Sequence, residues 1–221
     1  APAGEGIYWK YESFLKKIDS KIHSVVGAAG ELFAIRRDLY SPIPNDTILD
    51  DFLITLNIAG MGYCIRYEPN AYASEFGSLN VGEEMKRKVR IASGCFQVVF
   101  RNAWLLNFFK HPVLAFQFVS HKFMRWVVTP LSMVILFPLN IYMALANPSD
   151  IFILSVLVLQ VLFYFFSFIG YLIQNKTIMF KPLFVPYYFF MANLAQFMGF
   201  ARYIKGESTV KWERAERQIK N

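Results

Sequence analysis

From Ile151 to Ile173 the chain runs 23 residues with no charge and no proline. A helix of that length reaches roughly 35 Å, enough to cross the hydrocarbon of a bilayer. Few soluble folds can bury such a run on all sides. Val127 to Ala146 is a second, mostly apolar and uncharged stretch; it holds Pro130 and Pro138, which helix bundles in membranes tolerate. Leu183 to Ala201 is a third, more polar one, with Pro186, Asn193 and Gln196; its Ala192, Ala195 and Gly199 suit a close helix-packing seam. The sequence thus predicts transmembrane helices at 127–146, 151–173 and 183–201 within a membrane module of residues 127–204. The rest of the chain is different in kind. It is 55% hydrophobic overall, but the polar residues concentrate before position 126, so the first half faces water.

Charge gives an orientation. Residues 83 to 126 carry Lys86, Arg87, Lys88, Arg90, Arg101, Lys110, Lys122 and Arg125 against Glu83 and Glu84. Basic segments beside apolar spans stay in the cytoplasm, so residues 1–126 are placed there. The net charge of +7 then needs no nucleic acid to explain it. The turn 147–150 has no base and belongs outside. Lys176 and Lys181 return the chain inside, and the basic tail 205–221 conflicts with a third full crossing. An integral, multi-pass membrane protein is expected. Residues 81–126 read as a basic helix followed by an aromatic segment suited to the headgroup region.

The first eighty residues alternate helix and strand signals. Residues 7 to 22 space Ile7, Tyr11, Phe14, Leu15, Ile18 and Ile22 as one helical side. Glu31 to Ile35, Tyr63 to Tyr67 and Ala71 to Ser74 suit short strands. Gly27-Ala-Ala-Gly30 supplies small residues where backbone must approach something closely. This portion is expected to be α/β in character. Cys64 and Cys95 fit no metal or disulfide pattern and read as buried small hydrophobes. The three histidines are scattered, with no zinc spacing.

Asp50 and Asp51 open the helical run Phe52, Leu53, Leu56. Acids there satisfy the unpaired N–H groups and positive dipole of a helix start. The alternative is a general base held at the mouth of a helix. Arg87 and Arg90, three residues apart, share a helix face that is either solvated or turned to an anion.

Several segments in order carry a resemblance: Gly4-Glu-Gly-Ile-Tyr-Trp-Lys-Tyr-Glu12, Gly27-Ala-Ala-Gly-Glu-Leu-Phe-Ala-Ile-Arg-Arg37, Asp50-Asp51, Gly62-Tyr63, Arg87-Lys-Val-Arg-Ile-Ala-Ser-Gly-Cys-Phe-Gln97 and Gly206-Glu-Ser-Thr-Val-Lys-Trp212 with Arg214 and Arg217. Together they resemble the C-terminal half of membrane-bound family 2 glycosyltransferases related to cellulose, hyaluronan and poly-N-acetylglucosamine synthases. That resemblance implies the second half of an A-type glycosyltransferase domain at residues 1–80, its acceptor side, with the nucleotide-binding half preceding Ala1. It implies an inverting hexosyl transfer from a UDP-type nucleotide sugar to a saccharide or lipid acceptor, as in polysaccharide biosynthesis. Asp51 becomes the catalytic base and Asp50 its neighbour. The family's QxxRW motif falls on Arg87 to Ile91, keeping Arg90 for the diphosphate, with Arg87 in place of Gln and Ile91 in place of Trp. Gly30 and Trp9 would line the acceptor path. Mg²⁺ or Mn²⁺ is expected of the intact enzyme, although no DxD motif is present and no ligand can be named in this chain. Membrane lipid is an expected partner, and a further subunit or N-terminal half is possible within that pattern. The competing reading is a non-catalytic membrane scaffold or transporter subunit with a basic lipid-binding face. A transporter should place ionisable residues in its spans, and 127–146 and 151–173 have none.

Overall fold

The computed structural model describes residues 3–73, 81–174 and 181–207. Seven α-helices account for most of them: α1 (Ala3–Ile22), α2 (Asp50–Gly60), α3 (Val81–Arg101), α4 (Pro112–Phe118), α5 (Thr129–Ala146), α6 (Ile151–Ile173) and α7 (Lys181–Ile204). Short 3₁₀ turns lie at Arg37–Leu39 and Ala103–Leu106, and a π-helix at Val119–Val128 joins α4 to α5. Of the tail predicted at 205–221, residues 208–221, with Trp212, Arg214 and Arg217, lie outside the described residues, as do Lys176 and Ser74.

The α/β expectation is overturned. Among the described residues there is no strand. Residues 31 and 32 belong to a turn and a bend, 33–35 and 63–67 carry no regular structure, and a ladder needs repeated main-chain pairs. Here only the Val25 N–H reaches the Ile65 carbonyl, at 3.0 Å. The neighbouring amides of Ile65 and Tyr67 donate instead to the hydroxyls of Ser24 and Ser20, at 2.9 and 3.0 Å. β-favouring residues such as Tyr63 and Ile65 therefore have no sheet to join.

A second correction concerns α1. The face spaced as apolar is largely the outer one, since Tyr11, Phe14 and Ile22 are exposed. The buried face holds Glu12 and Asp19, seven residues apart and so two turns along one side. They are buried because the π-helix supplies partners. Lys122 and Arg125 both bind the Glu12 carboxylate, the latter at 2.8 Å. His121 Nδ1 lies 3.0 Å from Asp19 Oδ2, and the Gln117 amide donates to Asp19 Oδ1 at 2.9 Å. A π-turn is wider than an α-turn and re-aims the side chains that follow it. In this one, Lys122 and Arg125 meet α1 while Trp126 enters the core.

That core lies between α2, α3, α4 and the π-helix: Phe52, Leu56, Cys95, Val98, Leu105, Leu114, Phe118 and Trp126. Burial pushes the Cys95 thiol up to about 12, so it behaves as an inert hydrophobe. Cys64, expected inside as well, is exposed.

Two helical stretches, Pro112–Ala146 and Ile151–Ile173, are long and apolar enough to cross a membrane. The third segment, α7, is not among them. It packs along α3 on one side and α6 on the other. Phe96 meets Phe200 at 4.9 Å and Phe100 stacks on Tyr203 at 5.5 Å, while Lys88 Nζ sits 4.6 Å over Tyr188. Gly199 is the closest point: a Cβ there would stand 2.4 Å from the Ala92 Cβ and 2.7 Å from the Ser93 nitrogen. Because backbone cannot yield as a side-chain tip can, Gly199→Ala should cost roughly 1–3 kcal/mol. Thermal unfolding in detergent checks this; an unchanged midpoint would mean that α7 rides loosely on α3.

Candidate active site

The site is built at the start of α2. Leu49 carries the cap position and no side-chain cap bond is made there, so Asp50 and Asp51 stand in the first turn, where the dipole favours carboxylates. The chain leading in is fixed from α3. Buried Gln97 accepts from the Ile48 N–H at 2.9 Å and donates to the Asp46 carbonyl at 2.8 Å. Arg101 grips both Asp46 oxygens, at 2.9 and 2.6 Å. Gly94 gives room for this approach, since a Cβ there would meet Leu49 at 2.7 Å. Gln97→Ala should cost about 1–3 kcal/mol by leaving the Ile48 amide unsatisfied. It should also speed proteolysis between positions 41 and 49; a wild-type cleavage rate would show that Gln97 does not hold this loop. At the far end, α2 stops at Gly60 against the Trp104 ring, with Gly62 at φ +93° turning the chain away.

Asp51 is half-buried and Asp50 is exposed. Burial pushes the Asp51 carboxyl above the usual carboxylate range; the neighbouring charges of Asp50 and Glu31 add to this, against the Phe52 N–H and Lys16. A carboxylate held this way is a better proton acceptor than a solvated one. Gly30 lies directly against it: a Cβ on Gly30 would be 3.1 Å from Asp51 Oδ2. The small-residue loop therefore reaches the acid pair.

Arg90, on α3, is within electrostatic reach of both Asp50 and Asp51. Burial draws its pKa down, with Arg87 and Arg202 adding like charge and the two aspartates opposing. The guanidinium stays charged regardless. Arg87 is turned to a different partner. Its Nε and an Nη donate to the two oxygens of buried Glu84 at 3.1 and 3.0 Å, a fork-on-fork pair. Trp9 is about one-third exposed on α1, seven residues before Lys16, so roughly 10 Å along the axis from the α1 residue that acts on Asp51. The structure thus brings Asp51, Asp50, Gly30 and Arg90 to one place, while Arg87 is bound to Glu84 and Trp9 stands on α1.

Among the described residues no group of three or more His, Cys, Asp or Glu side chains could hold a metal ion. Two adjacent carboxylates beside an arginine do not make a divalent-cation site, so no step is assigned to a metal.

Residues 12–167 match the family model described as glycosyl transferase family group 2. The chain belongs to that family. Comparison with curated proteins and with solved structures returns no match. As a glycosyltransferase, the protein moves a glycosyl group from a nucleotide-sugar donor to an acceptor. The matched residues of this transferase include the acid pair, the small-residue loop, Arg87 and Arg90, and run on through the first helix that is apolar enough to cross a membrane and into the second, ending at residue 167.

Several side chains around the site gave little sequence signal. Thr55, Gln97 and Glu12 belong to common residue types in unremarkable positions. Only Glu12 had a hint, since a carboxylate seven residues before Asp19 marks a possible polar face on a helix that otherwise reads as amphipathic.

Proposed function

We propose that this chain transfers a sugar from a UDP-type nucleotide sugar to a saccharide or lipid acceptor, with inversion, as do the polysaccharide synthases it resembles. Asp51 takes the proton of the acceptor hydroxyl. The hydroxyl oxygen attacks the anomeric carbon and forms the new glycosidic bond. The bond from that carbon to the diphosphate breaks, and its electron pair leaves on the diphosphate oxygen. Arg90 balances that growing charge, as a preorganised cation in a partly dry site does. Arg87, tied to Glu84, steadies this part of α3 and adds to the positive field there. Asp50, exposed beside the base, raises the proton affinity of Asp51 by like charge.

The observation that carries this reading is the carboxylate of Asp51, raised in proton affinity, against Gly30 and within reach of Arg90. A scaffold or transporter subunit would have no use for that arrangement. With Ile91 at the Trp position of the QxxRW motif, a sugar-stacking surface is missing, which favours short products over long chains.

We also propose a cytoplasmic placement for the site. The helix containing α5 and the helix α6 form a membrane hairpin, and α7 stays on the starting side against α3. Two crossings then put Arg202 and Lys205 on the same face as residues 1–126, in keeping with the charge rule.

Membranes containing the full-length protein, incubated with radiolabelled UDP-glucose and UDP-N-acetylglucosamine, should convert label into acceptor-linked product and release UDP. Products of a few sugars are expected. Absence of transfer from these and the other common UDP-sugars would contradict the donor class.

A further inference from the structure

Thr55 lies one turn after Asp51 on α2 and is 1% exposed. Its hydroxyl proton points back to the helix, with the Asp51 and Phe52 carbonyls at 2.9 and 3.0 Å. That is common for a mid-helix threonine. The second bond is not: Thr55 Oγ1 also accepts the Ala28 N–H at 3.0 Å, from 27 residues away. The loop from Gly27 to Gly30 is thereby fastened to α2 at three successive places. Gly27, at φ +84°, presses on the Phe52 ring, where a Cβ would stand 2.0 Å from Cδ2. Ala28 bonds Thr55. Gly30 covers Asp51 Oδ2.

We propose that Thr55 is a positioning residue for the transfer: its hydroxyl latches the small-residue loop onto α2, and the latched loop keeps water from Asp51 and fixes the carboxylate toward the acceptor. The inference rests on the reading of Asp51 as the base and goes beyond it, because it says what holds that base in its working environment. Without the latch, the Ala28 amide loses its acceptor and turns to water. The loop then lifts at Gly30, and the side of Asp51 that it covered becomes hydrated. Asp50 on its own helix, Lys16 on α1 and Arg90 on α3 remain in place around Asp51, while Glu31 moves with the loop. Added water and the withdrawn negative charge of Glu31 then act in the same direction. A hydrated carboxylate loses its proton more readily, so the acid limb of the rate profile must move down in pH while the base becomes weaker.

The test uses the full-length protein in membranes, with Thr55→Val, Thr55→Ser and Asp51→Asn assayed across pH with the UDP-sugar that serves the wild type. Thr55→Val keeps shape and removes the acceptor oxygen. It should lower kcat about tenfold and shift the acid limb down by about one pH unit, with KM for the donor little changed. Thr55→Ser keeps the oxygen and should restore both. A Thr55→Val enzyme with the wild-type acid limb overturns the inference even if it is slow, since a purely structural residue would lower activity without moving the limb. Failure of Thr55→Ser to restore the limb overturns it as well. If Thr55→Val does not accumulate, hydrogen exchange on the wild type decides. The Ala28 amide should be protected, and exchange at the rate of an open loop overturns the latch. Asp51→Asn separates the two levels: transfer retained there removes the base assignment itself, whereas its loss beside an unaltered Thr55→Val profile removes only the latch.

Discussion

Asp51→Asn should lower kcat by roughly 10²- to 10⁴-fold and leave the protein folded. The substitution keeps shape and the capacity to accept a hydrogen bond but removes proton affinity. Its partners make the folded state tolerant of the change. Asp51 is half-buried, and the neighbouring charges of Asp50 and Glu31 disfavour its ionised form. Neutralising it therefore relieves the folded protein as it disables the chemistry. Thermal unfolding should show the variant at least as stable as the wild type. The wild-type rate should fall on the acid side as Asp51 takes up a proton, and this limb should lie above the usual carboxylate range because burial raises the group. Replacing Arg90 by Lys should cut activity as well, though less, since a charge remains where the fork is lost.

The largest effect on stability is expected at Glu12. Its carboxylate is 5% exposed and holds two cations, Lys122 and Arg125, at the junction of α1 with the π-helix. Lys122 is buried too and lies 6.0 Å from the centroid of the Phe52 ring, directly behind the helix that bears the acid pair. Removing one member of a buried pair leaves an uncompensated charge, so Glu12→Gln should cost about 3–5 kcal/mol. The same pairing predicts an acid transition. Burial alone would raise the Glu12 pKa, but Lys122 and Arg125 outweigh it and bring it down from 4.5 to about 2. A group depressed in the folded state stabilises it above the unfolded pKa. That contribution is complete above pH 4.5 and drains away as pH falls toward about 2. Unfolding midpoints followed between pH 6 and about 2 should fall in the wild type and stay flatter in Glu12→Gln. Equal slopes would show that the ion pair contributes nothing to this acid sensitivity.

The apolar helices were legible because their signal is composition over a long window. An uncharged, mostly apolar run of 23 residues from Ile151 to Ile173 leaves little choice of structure. The start of α2 was legible too, since Asp50-Asp51 before Phe52 and Leu53 announces a helix, and Gly60-Met61-Gly62 announces its end. The water-facing part misled at two points. Tyr63-Cys-Ile-Arg-Tyr67 has the residues of a strand, but strand formation depends on a neighbour, and its neighbour offers serine hydroxyls and a single carbonyl. The apolar spacing of α1 pointed to the wrong face. Periodicity cannot report that two carboxylates will find polar partners a hundred residues later, and those contacts decided which side of α1 is inside. Arg87 shows the same limit: helix spacing placed it beside Arg90, but an equally local acid, Glu84, claimed its guanidinium. Long-range hydrogen bonds such as Gln97 to the 46–48 backbone and Thr55 to Ala28 leave no trace in local sequence at all.

Transfer of label from the UDP-sugar by Asp51→Asn and Asp50→Asn membranes, measured side by side at matched protein levels, puts the most direct question to this account. Position 50 is exposed and position 51 is half-buried against Gly30, so Asp50→Asn should retain most of its transfer while Asp51→Asn loses nearly all of it. Wild-type turnover in Asp51→Asn, or a greater loss at position 50, would contradict a catalytic base at Asp51.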